Sequence, residues 1–155
     1  MDILDVLGAG TRRVDELNDV VALRLAAITF LDVYEDYEGW SVYPASPQAE
    51  RLLGAAMMIN PEIRAGRAGP TVLVDVNIAS GTLLASAATR VREIGNDDPL
   101  VGIVLHSLVD GWCDADVQNL SRLIVVHPHD RSRVDIPTAG AVDLVPQAQH
   151  RIAFC

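Results

Sequence analysis

Lysine is absent from this chain of 155 residues, and arginine supplies all 12 of its basic side chains. This absence excludes Schiff-base chemistry, a pyridoxal-phosphate anchor and a Walker-type phosphate-binding lysine. Recognition of a phosphate must therefore use arginine, backbone N–H groups or a metal ion. Acidic residues number 21 and the net charge is −9, which argues against a nucleic-acid binder that works by general electrostatics, since such a protein needs a basic face.

Cysteine is also scarce, with Cys113 and Cys155 the only two in the chain. They form neither a close-spaced metal motif nor a disulfide framework, and we therefore expect a reducing, cytoplasmic location. The first residues lack a basic region followed by a long apolar stretch, so we expect no signal peptide. No apolar run reaches the roughly 18 residues that a membrane-spanning helix needs, and we expect no membrane association.

Half of the residues are hydrophobic, which predicts a folded chain rather than a disordered one. The length corresponds to about one domain. Within that single domain, covering 1–155, we expect a helical amino-terminal part over 1–39, an α/β core over 40–127 and a carboxy-terminal tail over 128–155.

Apolar residues recur every three or four positions from Val14 to Asp36, which predicts a long amino-terminal helix that ends before Gly39. After Pro70, continuous apolar strands alternate with helices, and this order predicts an open, mostly parallel sheet flanked by helices. The predicted strands are Trp40–Tyr43, Thr71–Val76, Leu100–Leu108 and Arg122–His127, with weaker candidates at Arg133–Ile136 and Val142–Val145, and the other predicted helices are Pro47–Asn60, Ser80–Ile94 and Ala115–Leu120.

The segment from Val72 to Leu83 is the most informative for function: a hydrophobic strand ends in Asp75, and small residues then lead into an amphipathic helix. A helix N-terminus offers unpaired N–H groups and the positive end of the helix dipole, so it can bind phosphate, and Ser80 and Thr82 add hydroxyl donors. The Asp75 carboxylate can accept hydrogen bonds from sugar hydroxyls at the sheet edge where α/β proteins bind ligands. The plainer alternative is an ordinary strand–turn–helix in which Ser80 is the N-cap.

This segment resembles the phosphoribosyl pyrophosphate signature of type I phosphoribosyltransferases, in which a hydrophobic strand and one or two acids precede a Thr-Gly loop. Asp75 matches the first acid, and Ala79-Ser80-Gly81-Thr82 matches the loop. Val76 stands in place of the second acid, which the uracil phosphoribosyltransferase branch also lacks, and the segment resembles that branch most. The similarity extends over residues 70–154, with a His-Pro pair after a strand at His127 and a faint match to the base-binding tail at 145–154.

The resemblance implies a phosphoribosyltransferase-like (Rossmann-like) fold and an enzyme of nucleotide metabolism that forms homodimers. It implies transfer of ribose 5-phosphate from phosphoribosyl pyrophosphate to a nucleobase-like acceptor, uracil first, with release of pyrophosphate. Mg²⁺ would be held by the bound pyrophosphate. The implied binding residues are Asp75, Ala79, Ser80, Gly81, Thr82 and Leu83, with Ser46 and Arg51 in or beside a pyrophosphate loop at Tyr43–Gln48, and the implied catalytic residues are Asp75, Arg64 and Arg67.

Two departures from the family pattern leave other functions open. The long hairpin that usually precedes the signature is reduced to about Glu62–Gly69, and the Gly-Asp pairs of the base-binding tail are missing. The alternatives are a catalytically inactive regulatory or partner subunit and a nucleotide-sensing module. We assign no protein metal ligands and no role to four further reactive side chains: His127, His129, His150 and Cys113.

Overall fold

A computed structural model describes residues 19–76, 82–105, 119–127 and 132–137. These residues form a six-stranded, mostly parallel β-sheet flanked by helices, which confirms the predicted α/β class. The strands are β1 (Ser41–Pro44), β2 (Arg64–Ala65), β3 (Thr71–Asp75), β4 (Leu100–Val104), β5 (Arg122–Val126) and β6 (Arg133–Pro137), and the helices are α1 (Val20–Tyr34), α2 (Pro47–Ile59) and α3 (Thr82–Glu93), with a 3₁₀ turn at Glu35–Tyr37.

The strand order is β2-β1-β3-β4-β5-β6. Strands β1 to β5 are parallel to one another, and β6 pairs antiparallel with β5 at the edge. The chain first moves from β1 to β2 on one side and then crosses to β3 on the other side of β1. This reversal makes the carboxyl ends of β1 and β3 the topological switch point of the sheet, where open α/β sheets bind their ligands.

Two helices begin at clear sequence signals. Asp19 caps α1 by accepting a hydrogen bond from the Val21 N–H (3.0 Å). Ser46 caps α2, and Pro47 occupies the first turn, where its missing N–H costs nothing. Helix α1 has 15 residues, so within the described residues it is shorter than predicted, and residues 14–18 of the predicted helix lie outside them.

The core lies in two layers, one on each face of the sheet. Val72 and Val74 of β3 pack on the face covered by α1 and α2, with Phe30 of α1 fully buried against them. Leu73, between them in sequence, packs on the opposite face with Leu84 of α3. Burial on both faces explains why the central strands are continuous apolar runs. No helix in the described part of the chain combines the length and apolarity required to cross a membrane.

Several predicted boundaries change in the structure. Strand β2 is absent from the sequence prediction, because its two residues are exposed and carry no hydrophobic pattern. Strand β4 ends at Val104, whereas the predicted strand runs to Leu108. Leu105 is described and is not part of a strand, and residues 106–108 lie outside the described residues. Most of the predicted helix Ala115–Leu120 and all of the candidate strand Val142–Val145 lie outside the described residues.

The phenol of Tyr34 fastens the end of α1 to the start of β1. Its hydroxyl donates a hydrogen bond to the Trp40 carbonyl (2.9 Å), and burial raises the pKa of Tyr34 above its usual value of 10.0. We expect Tyr34→Phe to lower the free energy of unfolding by about 1 kcal/mol at neutral pH, measured by urea denaturation.

The pH dependence of this effect follows from the direction of the pKa shift. A pKa raised in the folded state stabilises the protein below the unfolded pKa, and this contribution is lost as the pH rises from about 10 through the folded value. The variant should therefore lose less stability than the native chain above pH 10. Equal losses in the two proteins would show that Tyr34 does not contribute in this way.

Candidate functional site

The candidate site lies at the switch point, where β1 and β3 end side by side. Pro44 pairs with Val74 in the parallel register, and the Ala45 N–H donates to the Val74 carbonyl (2.9 Å). One residue further along, Ser46 follows β1 and Asp75 ends β3. The sheet therefore brings together two side chains that are 29 positions apart in sequence.

A hydrogen bond joins these two side chains directly. The Ser46 hydroxyl donates to Asp75 Oδ1 at 2.7 Å, and the Val76 N–H donates to the same oxygen at 2.8 Å. The Ser46 oxygen also accepts the Ala49 N–H (3.1 Å), which is its N-cap bond to α2. Ser46 therefore connects the first turn of α2 to the carboxylate at the end of β3.

The surroundings of Asp75 favour a carboxylate in one fixed orientation. Asp75 is only 4% exposed and Ser46 only 7%. A hydrogen bond to an ionised carboxylate is roughly twice as strong as one between neutral groups. The N-terminus of α2 also carries a partial positive charge, and Ser46 connects it to the carboxylate. Asp75 is thus a carboxyl group held in one orientation on a rigid strand, which is what a group that positions a ligand requires.

The start of α3 supplies the other part of the predicted site. Helix α3 begins at Thr82, and Thr82 and Leu83 are both exposed, whereas Leu84 is buried and anchors the helix on the sheet. The predicted binding residues Ala79, Ser80 and Gly81 lie outside the described residues.

The structure separates the three arginines that the sequence places around the site. Arg64 pairs with Ser41 at the amino end of β1 and donates to the Gly39 carbonyl (2.8 Å), so it lies at the opposite end of β1 from Ser46. Arg67 lies near the Tyr43 ring. Arg51 is exposed on α2, five positions after Ser46. Arg64 and Arg67 thus make different contacts, Arg64 with the Gly39 carbonyl before β1 and Arg67 with the Tyr43 ring within β1.

Sequence reasoning missed Arg90, which lies on α3 beside the same tyrosine. Its Nε donates to the Tyr43 hydroxyl at 3.1 Å. The two residues are 47 positions apart, and only the packing of α3 on the sheet brings them together. Nothing in the local sequence of either residue signals this contact.

Among the residues that the structure describes, no three His, Cys, Asp or Glu side chains come together as a metal-binding group. Comparisons with protein-family models, with curated proteins and with solved structures returned no match to this chain.

The contact between Ser46 and Asp75 predicts a measurable cost for the removal of the hydroxyl. Ser46→Ala deletes the cap of α2 and one hydrogen bond to a buried carboxylate. We expect it to lower the free energy of unfolding by about 2 kcal/mol. Ser121→Ala, at an exposed position, is the matched control and should change the stability by less than about 0.5 kcal/mol in the same chemical denaturation. Equal effects of the two substitutions would contradict the structural role of Ser46.

Proposed function

We propose that this protein is a phosphoribosyltransferase-like enzyme that transfers ribose 5-phosphate from phosphoribosyl pyrophosphate to a nucleobase-like acceptor, uracil first. The observation that carries the proposal is the contact between Ser46 and Asp75 at the switch point. The resemblance in sequence assigned these residues independently to the pyrophosphate loop and to the ribose-binding acid. Their direct contact supports that assignment.

The residues of the candidate site have separate tasks in the proposed binding mode. Asp75 accepts hydrogen bonds from the ribose hydroxyls, and its orientation is set by Ser46 and the Val76 N–H. The N-terminus of α3, from Thr82, attracts the 5′-phosphate together with Ser80 and Gly81, since the positive end of the helix dipole favours an anion there. The N-terminus of α2, which begins at Pro47, favours the pyrophosphate in the same way.

The chemistry of the proposed reaction is displacement at C1 of the ribose. A nitrogen of the acceptor forms the new bond to C1 and gives up its proton to solvent, the bond from C1 to the pyrophosphate oxygen breaks, and the pyrophosphate leaves with the electron pair. Mg²⁺ would stabilise the charge on the departing pyrophosphate, and it takes few protein ligands because substrate phosphates and water complete its shell. Asp75, which ends β3 at this edge of the sheet, binds the ribose in this proposal and is not assigned as a Mg²⁺ ligand. The protein's own task is to hold the ribose and both phosphate groups in one geometry.

A second candidate function is binding of a nucleotide without transfer. The observation in its favour is the position of Arg64, which donates to the Gly39 carbonyl at the amino end of β1. An arginine held there does not assist a leaving group at the carboxyl edge. A regulatory or sensing module of this kind would bind a nucleoside monophosphate through Asp75 and the start of α3.

Calorimetric titration with phosphoribosyl pyrophosphate and Mg²⁺ tests the proposal. We expect saturable one-to-one binding, lost in the variant that combines Asp75→Asn with Gly81→Val, and pyrophosphate release that depends on added uracil or another base. Binding of uridine monophosphate without pyrophosphate release from any base would favour the sensing module. A folded protein that binds neither compound would contradict both functions.

A further inference from the structure

A group of three side chains outside the switch point has the character of an anion site. The Tyr43 ring has the Arg67 guanidinium carbon 5.4 Å from its centre and that of Arg90 at 5.8 Å. The Arg90 Nε also donates to the Tyr43 hydroxyl (3.1 Å). Two guanidinium groups are thus held near one phenol on the α3 face of the sheet, and we call this group the Tyr43 cluster.

The described arginines differ in what their guanidinium groups contact. Arg122 pairs with Asp135 at 2.7 Å, and Arg133 pairs with Asp36 at 3.3 Å. Arg92 donates to three backbone carbonyls, those of Asn96 and Asp98 in the turn after α3 and that of Asn119 before β5. Within the described ranges, no carboxylate forms a salt bridge with Arg67 or Arg90, and both guanidinium groups lie near the Tyr43 ring. Two cations near one ring repel each other, and a bound anion would offset that repulsion.

Hydrogen bonds of Asn96 connect the turn that carries Arg67 to the end of α3, the helix that carries Arg90. The Asn96 amide donates to the Arg67 carbonyl (2.7 Å) and to the Gly69 carbonyl (2.8 Å). Asn96 follows the end of α3, the helix that carries Arg90, so the turn bearing Arg67 is fixed to the same unit. Gly69 adopts a positive φ of 72°, which lets that turn close. The backbone that carries Arg67 is therefore held beside the end of the helix that carries Arg90 before any ligand binds.

The chemistry of the cluster selects a class of ligand. Guanidinium groups match the oxygens of phosphate bidentately, and two of them suit a group with two negative charges. The Tyr43 hydroxyl accepts from Arg90 and still has its own proton to donate. We propose that Arg67, Arg90 and Tyr43 bind a phosphate or pyrophosphate group. The resemblance already implied a pyrophosphate role for Arg67 and for the loop that begins at Tyr43, and the structure adds Arg90. The test of this site does not depend on phosphoribosyl transfer, because neither Asp75 nor the residues 77–81 take part.

Titration of the full chain with inorganic pyrophosphate, without Mg²⁺ and followed by ³¹P NMR, tests the inference. We expect saturable binding that weakens as salt is added. Arg67→Gln and Arg90→Gln should each weaken it about tenfold or more, because each removes charge-assisted hydrogen bonds. Tyr43→Phe keeps the ring and removes the hydroxyl, and we expect a smaller loss. Arg24→Gln is the matched control, since Arg24 is exposed on α1 on the other face of the sheet, and it should leave the affinity unchanged.

Three outcomes would overturn the inference. One is a folded native chain that binds neither phosphate nor pyrophosphate. Another is a variant with both Arg67→Gln and Arg90→Gln, folded by circular dichroism, that retains the native affinity. The third is loss of pyrophosphate binding in Asp75→Asn, since this would place the ion at the switch point. Pyrophosphate binding with no binding of phosphoribosyl pyrophosphate at Asp75 would contradict the proposed function alone.

Discussion

Asp75→Asn is expected to weaken the binding of phosphoribosyl pyrophosphate about 100-fold, because in the proposed mode the carboxylate accepts charge-assisted hydrogen bonds from two ribose hydroxyls and the neutral amide does not. The substitution conserves shape. The amide oxygen can still accept the two bonds that Ser46 and Val76 make to Oδ1, so the connection between β3 and α2 is kept. The measurement is calorimetric titration with phosphoribosyl pyrophosphate and Mg²⁺.

The matched control is Asp97→Asn, which removes the same charge from an exposed position in the turn between α3 and β4. It should leave the affinity within about twofold of the native value, because an exposed charge away from the site acts weakly through solvent. If Asp75→Asn and Asp97→Asn weaken the binding equally, the loss of affinity comes from the change in net charge, and Asp75 does not contact the ligand. If Asp75→Asn binds as the native chain does, the ribose-binding role is wrong.

A comparison with Ser46→Ala separates ligand binding from support of the fold. Ser46→Ala removes the cap of α2 and leaves the Asp75 carboxyl group in place but less firmly oriented. It should therefore lower the stability more than Asp75→Asn and the affinity less. The opposite order would mean that Asp75 serves the fold and that Ser46 touches the ligand.

The central strands could be predicted from the sequence because β3, β4 and β5 are buried on both faces, and such strands are uninterrupted apolar runs. Helix α2 was predictable because Ser46 and Pro47 form a local start signal. Strand β2 was not, since two exposed residues joined to β1 by backbone hydrogen bonds leave no pattern in the side chains.

The candidate site shows the same division between local and long-range information. Asp75 could be singled out because it ends an apolar strand and precedes small residues. Its partner Ser46 could be placed near a ligand but not against Asp75, since that contact depends on the order of the strands in the sheet. The position of Arg64 depends on the register of β2, and the meeting of Arg90 with Tyr43 depends on how α3 packs. Neither is encoded within a few residues of the side chain concerned.

Gly102→Val is expected to lower the free energy of unfolding by about 3 kcal/mol, the upper end of the cost of overpacking a core. Gly102 lies in the middle of β4, and a Cβ there would meet Leu123 Cδ1 at 2.9 Å, Leu120 Cδ1 at 3.0 Å and Leu84 Cδ2 at 3.2 Å. These are the ends of leucine side chains, so Gly102→Ala forces modest shifts and should cost about 1 kcal/mol. The branched valine adds two more carbons to the same space.

Gly54 provides the control that shows whether lack of space causes the loss of stability at Gly102. Gly54 lies in α2, is exposed, and has no atom within 4 Å of an added Cβ. Gly54→Ala should therefore raise the stability by about 0.5–1 kcal/mol, since alanine restricts the unfolded chain and favours the helix. Glycine-to-alanine changes of opposite sign at 54 and 102, measured by urea denaturation, would show that space decides the outcome at β4. Because Leu84 anchors the first turn of α3, crowding at Gly102 should also displace Thr82 and weaken phosphate binding there, whereas Gly54→Ala should not.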